Sequence, residues 1–175
     1  MKTKTLTLCA LLAGVVSIST CLLAANSSHE VHVAKDSSVK GHDKTFFEKA
    51  AKSGEKEVIV SRAVLPNLSN PEVKAFAESM ITDHTAANAG LKSLATSKGV
   101  TLPVLESKVG EKWVEKTKNA DENYLEEMIS DHKDAIDLFE KASKSEDPEI
   151  AAFASSTLPK LQHHLATAKA LKKSH

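Results

Sequence analysis

The chain has 175 residues, with 23 Lys+Arg against 23 Asp+Glu, 8 His and 2 Cys. That length suits one domain, the 41% apolar content is enough for a buried core, and the 4% aromatic content is too low for a typical β-sandwich. A zero formal balance lacks the basic excess expected of a dedicated nucleic-acid binder, and the long low-complexity tracts of a disordered chain are absent.

The first 25 residues read as a separate object. Lys2 and Lys4 precede an uncharged, largely apolar run from Leu6 to Leu23, and Ala24-Ala25 lead into a polar stretch at Asn26. A basic start, an apolar run and a small-residue exit are the parts of a secretory signal peptide. Two alternatives stay open: a retained membrane anchor, because the run is long enough to be a candidate span, and a lipoprotein attached at Cys21, which follows Ile18-Ser19-Thr20. Cys9 and Cys21 both lie in this segment, so cleavage leaves a mature chain with no thiol chemistry, disulfide or zinc finger. Loss of Lys2 and Lys4 leaves it with a net charge of −2.

Residues 26–42 are polar and aperiodic, which predicts a flexible tail; His29, His32 and His42 there are at most a weak metal-scavenging arm. From Asp43 onward apolar residues recur at helical spacing, and the pattern predicts a four-helix bundle over 43–172. Helix A covers about Lys44–Leu65 and stops at Pro66. Helix B opens on Ser69-Asn70-Pro71-Glu72 and runs to about Lys98. Helix C spans about Asn119–Ser143. Helix D opens on Asp147-Pro148-Glu149 and runs to about Lys172, with Pro159 expected to kink or loosen it. Short A–B and C–D joins predict antiparallel hairpins. The long B–C join, Gly99 to Lys118, holds Pro103, Gly110 and Trp113, with a short extra helix within Leu105–Thr117, and is long enough to cross the bundle from end to end.

An internal repeat lies inside this pattern. Phe76-Ala-Glu-Ser-Met80-Ile81-Thr-Asp83-His84 matches Tyr124-Leu-Glu-Glu-Met128-Ile129-Ser-Asp131-His132 in one register, 48 residues apart. The start of helix D, Pro148 to Ala154, echoes that of helix B, Pro71 to Ala77. At about 100° per residue, Val73, Met80, Ala87 and Leu91 mark the apolar face of helix B, and Met128, Ala135 and Phe139 that of helix C. Ile150, Ala154, Leu161, Leu165 and Ala168 mark helix D; Phe47, Ala51, Gly54, Val58 and Leu65 mark helix A. Each stripe contains one ionisable residue near mid-helix: Glu57, His84, His132 and His164. His163 points away.

Four such groups at one level of a bundle core are expensive to bury unpaired. Three imidazoles beside a carboxylate can share one divalent ion, and that donor set suits Zn, Cu, Fe, Ni or Mn. Asp83 and Asp131 flank the stripes and are placed to hold a His ring nitrogen from behind. The competing reading is a polar layer in which Glu57 accepts hydrogen bonds from the histidines and no metal binds.

These residues resemble a family of exported bacterial proteins, domain of unknown function 4142, of the ferritin-like clan. The matching pieces are Phe47, Ala50-Ala51 and Gly54 ahead of Glu57; Pro71 to Ala77; Met80-Ile81-x-Asp83-His84 with Asn88 and Leu91; Asp121-x-x-Tyr124-Leu125 before Met128-Ile129-x-Asp131-His132; and Leu158-Pro159-x-Leu161-x-x-His164-Leu165. The resemblance implies an all-α, ferritin-like four-helix bundle in the periplasm or cell envelope, and no assigned reaction. The chain lacks the Glu-x-x-His of di-iron helices on B and C, so a single-ion site fits better than a di-iron oxidase. Three functions follow as expectations: an exported metal-binding bundle in metal homeostasis or stress, a non-enzymatic envelope module that contacts a protein partner and uses the His layer only for packing or pH response, and a metal-dependent oxidoreductase. No isolated Gly here forms a phosphate loop, and no carboxylate pair or Ser/Cys constellation supports a hydrolase.

Overall fold

A computed structural model of the chain describes residues 39–105, 108–114 and 118–174. The signal segment and most of the expected tail lie outside the described residues. Five α-helices follow in order: α1 Gly41–Val64, α2 Pro71–Ser97, α3 Lys108–Val114, α4 Ala120–Ala142 and α5 Pro148–Ser174, with a 3₁₀ turn Leu65–Asn67 after α1. No strand occurs among the described residues. The four long helices are those expected, and α3 is the short helix of the long join. Helix α1 starts two residues before the expected start of the bundle at Asp43 and takes in Gly41 and His42.

The cap-then-Pro starts work as the spacing requires. Asn70 Oδ1 accepts from Glu72 N at 2.7 Å, and Asp147 Oδ1 accepts from Glu149 N at 3.0 Å. Such caps contribute about 1 kcal/mol each. Pro159 does not end α5, which runs through it unbroken. Pro159 and Ser155 are both exposed, so the carbonyl deprived of its usual donor lies on the solvent side.

Helix α1 packs on α2 and α4, and α5 packs on the same two, which leaves α2 and α4 on one diagonal and α1 and α5 on the other. Ion pairs and caps fix the directions. Asp121 at the start of α4 accepts from Ser69 N at 3.1 Å and Asn70 N at 3.3 Å, at the start of α2, so those two helices are parallel. Lys98 at the end of α2 pairs with Asp147 at the start of α5 at 2.6 Å, and Lys172 at the end of α5 pairs with Glu126 near the start of α4. The α2–α4 join therefore returns the chain along the full length of the bundle. On that return α3 lies against α1, where Gly110 comes so close that an added Cβ would sit 3.0 Å from Ile59 Cγ2.

The core has two apolar halves. One gathers Val60, Val64, Phe76, Met80, Trp113, Tyr124, Leu125 and Met128; the other gathers Phe46, Phe47, Leu91, Ala135, Phe139, Ile150, Ala154 and Leu161. The inward face of α1 differs from the expected stripe. Val58 and Leu65 are only half-buried, whereas Glu57, Val60, Ser61 and Val64 are buried. A face centred on a Glu and a Ser shifts the apolar average one residue off the true inward direction. Leu165 and Ala87 are likewise half-buried, and His163 is exposed as expected.

Candidate metal centre

Four helices each bring one polar side chain to the same level between the two apolar halves. Glu57 of α1, His84 of α2, His132 of α4 and His164 of α5 are all buried, none more than 4% exposed. The three ring centroids form a near-equilateral triangle of 5.3 to 5.4 Å. One ring nitrogen from each histidine lies within 4.8 Å of the other two. The layer expected from the helical wheels is thus assembled.

The hydrogen bonds determine which nitrogen of each ring carries a proton, because a carbonyl or carboxylate can only accept. His84 Nδ1 donates to Glu57 Oε2 at 2.8 Å, which leaves Nε2 bare; that atom is buried with no partner among the described residues. His132 Nδ1 donates to the Met128 carbonyl at 2.9 Å and lies 3.6 Å from Glu57 Oε1, which again leaves Nε2 bare. His164 Nε2 donates to Asp83 Oδ2 at 2.9 Å, which leaves Nδ1 bare. The bare Nε2 of His132 and the bare Nδ1 of His164 face each other at 3.4 Å. Two lone pairs at that separation repel unless a cation sits with them.

The electrostatics favour the neutral forms of His132 and His164 and the charged forms of Glu57 and Asp83. Burial holds His132 below its ordinary range, helped by the charge of His84 and opposed by Glu57 and the Met128 carbonyl. Burial, with His84 and His132 nearby, lowers His164 to about 4 against the pull of Asp83. For Glu57 burial acts upward, but the His84 hydrogen bond and the charges of the three histidines outweigh it and hold the carboxyl below its usual range. For Asp83 burial again acts upward and is outweighed by His164 and by Lys160, whose Nζ is 3.2 Å away.

Glu57 and Asp83 therefore stand behind the rings and orient them, and the three histidines form a group that could hold a metal ion. Glu57, expected among the ligands, turns its two oxygens to the Nδ1 sides of His84 and His132. Asp83, foreseen behind a ring, accepts from His164 Nε2. Asp131 does not: its oxygens meet Lys56 Nζ, both at 2.9 Å, and Lys56 also pairs with Glu127 at 2.6 Å. The Lys56 partnership was not legible, since Lys56 falls off the apolar stripe and reaches Asp131 by the length of its side chain. Also missed was the Ser61–Tyr124 hydroxyl pair at 2.7 Å, one turn along α1 from Glu57. Burial, reinforced by Glu57 and opposed by Ser61, raises the Tyr124 phenol. Ser61 falls within the helix A stripe of Phe47, Ala51, Gly54, Val58 and Leu65, and that polar residue on an apolar face was the signal for a buried partner.

A TM-score of 0.68 relates the structure to a crystal structure of a DUF305 fragment from Deinococcus radiodurans, at 12% identity, over 78% of this chain and 99% of that one. At that identity the likeness speaks to the helical fold alone. No curated protein matches the chain. The family profile described as Domain of unknown function (DUF4142) matches residues 28–171, and with the helical architecture above this places the chain in that family.

Proposed function

We propose that the chain is an exported helical bundle that binds one divalent transition ion on His84 Nε2, His132 Nε2 and His164 Nδ1. The observation that carries the reading is the set of three bare, buried ring nitrogens, each fixed in its tautomer by an acceptor behind the ring. Neutral imidazole suits Zn, Cu, Fe or Mn in differing degrees, and a carboxylate or carbonyl behind each ring is the usual means of orienting such ligands. Export rests on Lys2 and Lys4, the apolar run to Leu23 and the Ala24-Ala25 exit; no described helix is long and apolar enough to cross a membrane. The proposed role is binding, in metal homeostasis or stress protection of the envelope.

The test is calorimetric titration of tag-free protein with Zn, Cu, Fe and Mn, repeated on His84→Ala and His163→Ala. One ion per chain is expected, lost in the first variant and kept in the second. A second reading draws on the 3.4 Å approach of His132 to His164, which a shared proton can also bridge. It makes the layer purely structural, and it requires that no ion binds stoichiometrically.

A further inference from the structure

An ion bound by the three rings must reach them from solvent, and each ring is buried. A hydrated divalent cation does not cross apolar side chains, because it would shed its water with nothing polar in return. The route therefore runs past a polar group that touches a ring and also reaches solvent. Three groups stand behind the rings within hydrogen-bond distance: Glu57, the Met128 carbonyl and Asp83. Glu57 is 1% exposed, and Met128 is fully buried. Asp83, whose side chain is 27% exposed, is the one of the three that reaches the surface. The cavity of about 30 Å³ beside Glu57 and His84 offers no such route, since its wall is mostly apolar, with Leu91, Leu138, Phe139, Phe153 and Leu161.

Asp83 joins α2 to α5 with a different partner on each oxygen. Oδ2 accepts from His164 Nε2 at 2.9 Å, and Oδ1 pairs with Lys160 Nζ at 3.2 Å. Lys160 precedes His164 by one turn of α5, and its side chain is 54% exposed, so the ammonium lies on the solvent side of the carboxylate. A carboxylate with a ring on one oxygen and an exchangeable cation on the other can hold an arriving ion before the rings do. A divalent ion in the place of Lys160 doubles the positive charge facing Asp83, which favours the exchange. Beyond Asp83, the bare Nδ1 of the same His164 ring already faces His132 Nε2 at 3.4 Å. Pro159, next to Lys160, has no backbone N–H to donate, so α5 lacks one hydrogen bond in the turn that carries the lysine.

We infer that Asp83 is the surface site at which a divalent cation is captured before it passes to the three rings, and that Lys160 is the latch that must leave Asp83 for capture to occur. The inference rests on the metal-binding reading above. The other copy of the repeat supplies the control: Asp131 holds Lys56 at 2.9 Å, and no hydrogen bond joins Asp131 to a ring among the described residues.

The experiment mixes tag-free protein with Co(II) by stopped flow, where the growth of the visible bands gives the association rate and competition with a chelator gives the dissociation rate. Calorimetry first establishes one Co(II) per chain; if none binds, the metal reading and this inference fall together. Lys160→Met removes the latch at an exposed position and should raise both rates about tenfold, with affinity changed less than about threefold, because a lower barrier speeds both directions. Asp83→Asn should slow association about tenfold, since the charge that attracts the ion is gone. Lys56→Met should leave both rates within about twofold of wild type, because Asp131 is off the route. Wild-type rates in Lys160→Met, or faster association without faster dissociation, overturn the latch, the second result being that of a charge acting only at a distance. An Asp83→Asn protein that associates at the wild-type rate and loses ion only by faster dissociation overturns capture and leaves Asp83 as a group that orients His164. Equal acceleration in Lys56→Met and Lys160→Met overturns the route. In each of these cases one Co(II) per chain still binds to wild type, and the metal reading stands.

Discussion

The two copies of the repeat, Met80 to His84 on α2 and Met128 to His132 on α4, have like sequences and unlike surroundings. A half-turn about the bundle axis that carries α2 onto α4 carries α5 onto α1, because each diagonal helix packs on the same two neighbours. Asp83 therefore faces α5 and Asp131 faces α1. On α5 Asp83 finds His164, whose ring donates a proton, and Lys160. On α1 Asp131 finds Glu57, which has no proton to give, and takes Lys56 instead. The two aspartates shift in opposite directions. Burial acts upward on both, but His164 and Lys160 win at Asp83 and lower it. At Asp131 burial, with Glu127 and Glu57 nearby, outweighs Lys56 and raises it. A duplicated motif thus supplies two buried rings, and the neighbouring helix decides what each attendant aspartate does. The layer is a four-fold pattern with three imidazoles and one carboxylate, and the break at Glu57 faces two of the rings, His84 and His132, while Asp83 holds the third.

The largest effect should come from the rings themselves. His132→Ala or His84→Ala removes two of the features the repeat shares, a bare nitrogen and its place in the triangle, and should abolish stoichiometric metal binding by calorimetry. His163→Ala should leave binding unchanged, since His163 is exposed.

Next, Asp83→Asn and Asp131→Asn separate the two copies. Loss of the carboxylate behind His164 should weaken metal about 10–100-fold. Asp131→Asn should change affinity less than threefold. Equal losses in the two variants would contradict the asymmetry.

The pH dependence of the metal-free protein gives a third test. His164 has a folded value of about 4 against 6.5 ordinarily. Between those values the unfolded chain binds the extra proton, so stability present above pH 6.5 is lost as pH falls towards 4. The full shift corresponds to on the order of 3 kcal/mol. Denaturant melts at pH 7 and pH 4.5 should show that slope in wild type and a shallower one in His164→Gln. Asp131, raised in the folded state, works with the opposite sign, so Asp131→Asn should steepen the loss on acidification.

The smallest effect is expected one turn away from the layer. Tyr124→Phe leaves the Ser61 hydroxyl buried without its 2.7 Å partner. It should cost about 1 kcal/mol of stability, with metal affinity unchanged.

Much of this layer was legible because helical spacing converts a one-dimensional pattern into an angle. Glu57, His84, His132 and His164 stood on apolar stripes at mid-helix, and mid-helix positions share a level whichever way helices run. The direction of the long join was only permitted by its length; Asp121 capping Ser69 and Asn70 decides it. Wheels give no account of reach, so the Lys56–Asp131 pair escaped them, as did the shift of the α1 face from Val58 to Glu57. Nor do they give tautomers. That Glu57 stands behind the rings follows only from which atoms lie within hydrogen-bond distance. The close approach of the Asn88 amide to Gly54 depends on a missing Cβ on another helix, and no periodicity encodes it.

The most direct measurement is an anomalous-difference map from crystals of tag-free protein loaded with Zn or Co. The account predicts a single peak per chain bonded to His84 Nε2, His132 Nε2 and His164 Nδ1 at about 2.0–2.1 Å, with Glu57 and Asp83 outside the bonded shell. A peak on other residues, a peak bonded to Glu57 in place of a ring, or no peak within the triangle would contradict it.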